Sequence, residues 1–186
     1  FVSDGQRSAW KRLMSELPEI PVEERNGVKV LAPAYLYKDK QNVENPELYA
    51  IFPYRRYAVG KEGLDLARNT FANRAVKETG GWQQNAIKAA CLGLTDEAAR
   101  LMLQNFNTKN EAFRFPTMWG PNYDWIPDQD HGTVAMSALQ SMLLQCDGTD
   151  IHLFPAWPRN WDVSFKLCAP GNTLIEGVYK NGKLER

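Results

Sequence analysis

The sequence has no excess of either charge: 22 Lys and Arg are matched by 22 Asp and Glu over 186 residues. It has no basic stripe either. Neutralising phosphates takes clustered Lys and Arg, so a nucleic-acid partner is not expected. No apolar run approaches the roughly 18 residues that cross a bilayer, so no membrane partner is expected. No signal peptide is visible, and the chain opens on Phe1-Val2, which suggests a processed or trimmed start. Cysteine is sparse. Cys91, Cys146 and Cys168 are far apart and odd in number, no spacing matches a zinc site, and buried structural thiols are the expected reading. The chain lacks a P-loop, a dinucleotide-binding glycine fingerprint, a nucleophile elbow and a metalloprotease helix motif.

What remains is an ordinary globular composition, 44% apolar and 24% charged, long enough for one domain with a real core. Six tryptophans are many for this size, and several fall in turn-rich segments. An exposed Trp is costly unless a ligand stacks on it.

Periodicity organises the chain. Residues 3–17 predict a helix capped by Ser3, with Trp10, Leu13, Met14 and Leu17 on one face. Residues 18–46 read as irregular and proline-rich, with a short strand around Val28, Val30 and Leu31. Further helices are predicted over 61–77, over 82–92, and from a Thr95 cap to about Phe106. A loop of about 25 residues follows over 107–131. The helix predicted over 132–146 is apolar nearly all round and is expected to be buried in an inner layer. After Asp147-Gly148 the pattern turns to strands at 151–154, 163–167 and 173–180. Asn181-Gly182 then signals a hairpin with almost no second arm, as if the chain were cut inside a β domain.

Three segments could carry chemistry. The richest runs from Phe115 to Gly132 and collects Trp119, Asn122, Tyr123, Trp125, Asp128, Asp130 and His131 ahead of the buried helix. Sugars have apolar C–H faces that stack on aromatic rings and hydroxyls that seek amides and carboxylates. Glycosidic hydrolysis needs carboxyl groups to protonate the leaving oxygen and to activate water. Asp130 and His131 read equally well as helix caps, whereas Asp128 is harder to explain that way. The second segment is Gly80-Gly81-Trp82-Gln83-Gln84-Asn85, where Trp82 reads as a sugar contact or as a core plug. The third is Glu44-Asn45-Pro46-Glu47-Leu48-Tyr49, which also suits a proline-led helix start. His152, between Ile151 and Leu153, reads as structural.

The motifs Leu48–Pro53, Gly80–Trp82, Pro127–Gly132 and Ile151–Pro155 with Pro158, in this order, resemble the C-terminal portion of glycoside hydrolase family 95, over roughly residues 44–186. That family comprises α-L-fucosidases and α-L-galactosidases. The resemblance implies a mainly α fold: residues 1–147 as the C-terminal portion of an (α/α)6 toroid, and 148–186 as the start of a β-rich domain. It also implies inverting hydrolysis without a cofactor or metal, and a secreted or periplasmic location is expected. By motif position Asp128 is the catalytic residue that assists the water-positioning amides. Asn122 and Trp82 line the sugar pocket, and Glu47, Gln83, Trp119, Trp125, Asp130 and His131 complete the expected substrate contacts. The family's general acid lies earlier in the toroid, so the remainder of a parent polypeptide is the expected partner beside the carbohydrate. The family's basic stretch is here Glu44-Asn45-Pro46-Glu47, and its Asp-Gly-Asn-Phe-Gly is here Asp128-Gln-Asp-His-Gly132, which departs from a fucose preference. A non-catalytic carbohydrate-binding or scaffold domain is the alternative. A polysaccharide lyase using Tyr, His or Arg as base ranks last, because the sequence shows no dense basic cluster for an acidic substrate.

Overall fold

The computed structural model describes residues 2–38, 43–77, 83–107 and 130–185, with the side chains of residues 130 and 131 excluded. Helix α1 spans Asp4–Glu16 and starts on a capping box. The Gln6 amide donates to Ser3 Oγ at 3.3 Å, and the Ser3 amide donates to Gln6 Oε1 at 3.0 Å. None of its residues is buried, and the expected apolar face is uncovered: Trp10 is 54% exposed and Met14 73%.

The stretch read as irregular contains a hairpin. Strand β1 (Val22–Arg25) pairs antiparallel with β2 (Val28–Leu31) across Asn26 and Gly27, both at positive φ. Asn-Gly at positive φ matches the right-handed twist of the flanking strands, a signal the sequence reading passed over. A 3-10 turn, Pro46–Leu48, leads to α2 (Leu64–Ala72), which is shorter than expected at both ends. Left-handed Gly63 precedes this helix, and Asn73 closes it by donating to the Asn69 carbonyl.

Helices α3 (Asn85–Cys91), α4 (Thr95–Asn107) and α5 (Asp130–Leu143) pack on one another. The buried Ala86, Ala89 and Ala90 of α3 let its neighbours approach closely. The exposed C-terminal carbonyls of a short helix need partners, and here each of the last four finds one. Leu94 N–H donates to Ala89 O at 3.0 Å, Gly93 N–H to Ala90 O at 3.1 Å, and Val59 N–H to Cys91 O at 2.9 Å. The Arg68 guanidinium donates twice to Leu92 O, at 3.1 and 2.9 Å. Gly93 sits at φ +68 in the left-handed position that ends many helices.

Helix α5 stops at Leu143, three residues before the expected end. Leu144–Asp147 becomes β3 and pairs with β4 (Asp150–Leu153), so this hairpin crosses the 147/148 boundary. Met136 on α5 is exposed, so the helix buries one side rather than its whole circumference. Strands β5 (Val163–Ala169), β6 (Thr173–Lys180) and β7 (Lys183–Leu184) form the last sheet. The Asn181-Gly182 turn is present, with both residues at positive φ. Phe154 joins this sheet to the helices: its ring meets Phe165 edge-on at 5.6 Å and Tyr179 at 4.8 Å.

The (α/α)6 toroid and the mainly α class are overturned. The described residues hold five α-helices, about 38% helix and 22% strand in three small sheets, which makes a mixed helix-and-sheet fold. Periodicity reports that a helix has an apolar face but not which element covers it. Among the described residues α3, α4 and α5 share a layer, α2 packs on β2 and the 3-10 turn, and no residue of α1 is buried. The thiol expectation also divides. Cys91 is buried and Cys146 half-buried, but Cys168 is exposed, because in β5 the inward positions are Phe165 and Leu167. Among the described residues no helix is long and apolar enough to cross a membrane, and no His, Cys, Asp and Glu group is arranged to hold a metal.

Candidate functional site

Two of the three candidate segments meet. Val43, Glu44, Asn45 and Tyr49 form one wall of a pocket of about 140 Å³, and Gln83, Gln84, Asn85 and Lys88 form the other. Tyr49 follows the 3-10 turn that Pro46 starts, which turns its ring toward α3. Gln83 and Gln84 precede α3, and Asn85 and Lys88 stand one turn apart on it.

The walls are tied directly. Gln83 Nε2 donates to Val43 O at 3.1 Å. Asn45 is buried and grips the backbone of Val76 from both sides: its Nδ2 donates to Val76 O at 2.8 Å, and Val76 N–H donates to its Oδ1 at 3.0 Å. Asn85 Nδ2 shares the same carbonyl at 3.4 Å. Buried amides that satisfy backbone groups in this way are rigid, since breaking either bond strands a polar atom.

Tyr49 Oη donates to Glu44 Oε2 at 2.6 Å. Burial first, and this carboxylate second, push the phenol up to about 12 from its ordinary value of 10.0. Lys88 is only 4% exposed, and its ammonium stands 5.3 Å from the centre of the Tyr49 ring. The pocket therefore presents an aromatic ring, a carboxylate, several amides and an ammonium in a small polar recess. That set suits a ligand with several hydroxyls and an apolar edge.

The expected site residues fall out as follows. Gln83 lines this pocket. Glu47 is 5% exposed and turns the other way, lining a second groove, with Arg25 Nη1 at 3.8 Å. Asp130 and His131 open α5, and nothing is described of their side chains. Asp128, Trp82, Trp119, Asn122 and Trp125 lie outside the described residues. The sequence reading missed Lys88. The available signal was its spacing, three residues after Asn85 and four after Gln84, which puts all three on one helical side. His152, read as structural, packs so closely on Gly60 that an added Cβ there would lie 2.7 Å from its Cε1.

No protein-family model and no curated protein matches this chain.

Proposed function

We propose that this chain binds carbohydrate and contributes the sugar-holding part of an inverting glycoside hydrolase. One observation carries the reading: residues of the two segments singled out separately in the sequence, 44–49 and 80–85, line one pocket, Glu44, Asn45 and Tyr49 from the first and Gln83, Gln84 and Asn85 from the second. Its volume of about 140 Å³ suits a single sugar ring rather than a long chain. The Tyr49 ring offers a stacking face, while Gln83 and Gln84 offer amides to hydroxyls. The resemblance of four ordered motifs to family 95 glycosidases supplies the hydrolytic part of the proposal. Asp128 is the proposed residue that assists the attacking water.

A second reading, a purely carbohydrate-binding domain, is favoured by one feature. Glu44 is the only carboxylate among the described residues that line the pocket, and its Oε2 accepts the hydrogen bond from Tyr49 Oη. Hydrolysis by the usual route needs two carboxyl groups. A lyase that uses Tyr49 as base is disfavoured, since a phenol raised to about 12 stays protonated at neutral pH.

The test is an NMR titration of the 186-residue chain with neutral sugars, L-fucose and L-galactose among them. Shifts confined to the Gln83 and Gln84 side-chain amides and the Tyr49 ring are expected. An absence of shifts with every neutral sugar at high concentration would remove the proposal. Turnover separates the two readings. In an enzyme that contains this chain and hydrolyses glycosides, Asp128→Asn should lower the rate about 10²-fold; unchanged turnover would take Asp128 out of the chemistry.

A further inference from the structure

The 3-10 turn at Pro46–Leu48 has two sides. Glu44, Asn45 and Tyr49 face the pocket described above, while Pro46, Glu47 and Ala50 line a separate, more open groove of about 500 Å³. Glu47 is 5% exposed, so its carboxylate is almost wholly desolvated. A carboxylate in that position normally collects hydrogen bonds that offset the desolvation. Glu47 has none among the described residues. Its nearest cation, Arg25 Nη1, stands 3.8 Å away, beyond hydrogen-bond distance. That guanidinium is already engaged: Nε donates to Glu23 Oε1 at 2.8 Å, Nη2 donates to the same oxygen, and Nη1 donates to Asn73 O at 3.4 Å. Arg25 therefore offsets the charge of Glu47 without occupying its lone pairs.

The rest of the groove restricts what this carboxylate can receive. Lys61 is paired with Asp147 at 2.7 Å. Arg55, left-handed at φ +48, turns its guanidinium inward, where Nη1 donates to Cys91 Sγ at 3.6 Å and Nη2 to Gln145 Oε1 at 3.1 Å. Arg56 is exposed, with its guanidinium 5.7 Å from the centre of the Tyr57 ring. A cationic ligand at Glu47 would meet Arg25, and an anionic one would meet Glu47 itself. The occupant that fits is uncharged and donates hydrogen bonds. The walls around the carboxylate are apolar, with Ala32, Pro33 and Ala50 among them, and the Tyr54 ring beside them is 77% exposed.

We infer that this groove is a second sugar subsite, for a neutral saccharide whose hydroxyls donate to the Glu47 carboxylate while a C–H face of the ring packs on Tyr54. Hydrogen bonds from hydroxyls to an ionised carboxylate are short and about twice as strong as those between neutral groups. Neutral donors and apolar faces on one small molecule are what a sugar combines, and an exposed tyrosine offers such a face a partner. The choice of a saccharide among neutral donors rests on the proposed function, because the same turn of chain forms a wall of both recesses.

The experiment is an NMR titration of the 186-residue chain with three neutral disaccharides, maltose, cellobiose and lactose. Two sets of signals are followed separately: the Tyr54 ring with the Ala50 and Arg56 amides for the groove, and the Gln83 and Gln84 side-chain amides for the pocket. At least one disaccharide is expected to shift the groove signals. Its permethylated form keeps the rings and loses the donors, and should bind the groove at least about 10-fold more weakly. Glu47→Gln keeps the shape and removes the charge, and should weaken groove binding about 10-fold while the pocket signals respond as before. Tyr54 is exposed, so Tyr54→Ala leaves the fold intact and serves as the second variant; it should weaken groove binding several-fold. Pocket shifts with a silent groove overturn this inference and leave the pocket standing. Unchanged groove binding in Glu47→Gln, or equal binding of the permethylated sugar, also overturns it. Where Glu47→Gln does not fold, unchanged groove binding in Tyr54→Ala does the same. Silence of groove and pocket with every disaccharide, together with silent neutral monosaccharides, removes the carbohydrate reading itself.

Discussion

Asn45 and Val76 lie 31 positions apart in sequence, yet the Asn45 side chain meets both the N–H and the C=O of Val76, at 3.0 and 2.8 Å. An amide placed this way imitates a strand partner. It fixes the pocket wall at 43–49 against the segment that precedes α3, so pocket geometry is set by a side chain that is itself tied to the backbone. Replacing Asn45 by Ala removes both bonds and leaves the Val76 groups without them. The expected loss is roughly 2–3 kcal/mol in a denaturant titration, with weaker sugar binding. A stability change under about 0.5 kcal/mol would show that water replaces the amide without cost.

Tyr49 gives a pH prediction. Its folded value of about 12 lies above the ordinary 10.0, so the folded chain holds this proton more tightly than the unfolded chain does. The associated stability is fully present below pH 10 and is lost as the pH rises through about 12. Unfolding free energy measured against pH should therefore fall over this interval, and the fall should be smaller in Tyr49→Phe. An identical slope in the two proteins would assign the effect to other groups.

Gln145 supports a different junction. Its Nε2 donates to Ala90 O at 2.7 Å and to Ser141 O at 2.9 Å, and its Oε1 accepts from Arg55. It thus ties α3, α5 and the left-handed Arg55 together just where α5 gives way to β3. Gln145→Ala is expected to cost about 2–4 kcal/mol and to raise amide exchange in both 55–59 and 88–92. Exchange altered in α5 alone would deny the link.

Phe154 links the end of α5 to the terminal sheet, its amide donating to Leu143 O at 2.7 Å. Its ring contacts with Phe165 and Tyr179 are each worth about 1 kcal/mol beyond simple burial. Phe154→Ala should lower stability by roughly 3 kcal/mol and loosen β5 and β6 first, as read by hydrogen exchange. Uniform loosening across α3 to α5 as well would mean that sheet and helices unfold as one unit.

Much of the local structure was legible because its causes are local. Ser3 and Gln6 complete a capping box within four residues. Asn181-Gly182 can adopt positive φ cheaply, and alternation places Phe165 inward; the same alternation turns Cys168 outward, against the expectation of a buried thiol. The end of α5 was not legible. Leu144 and Cys146 continue its apolar pattern, and only pairing with Leu153 and Ile151, beyond Gly148, turns them into a strand. The same limit applies to Glu47 and Lys88: one was expected at a sugar and turns to the other side, and the other was passed over and lines the pocket.

By itself the sequence determined where turns such as Asn181-Gly182 fall, the cap of α1 and which segments collect aromatic, amide and carboxylate side chains, since each depends on a few neighbouring residues and their backbone preferences. Tertiary structure decided the rest. It replaced the expected toroid by a three-helix layer with small sheets and brought residues 43–49 onto 83–88. Such encounters depend on which apolar faces cover one another across tens of residues, and a periodic pattern shows that a face exists without specifying its partner.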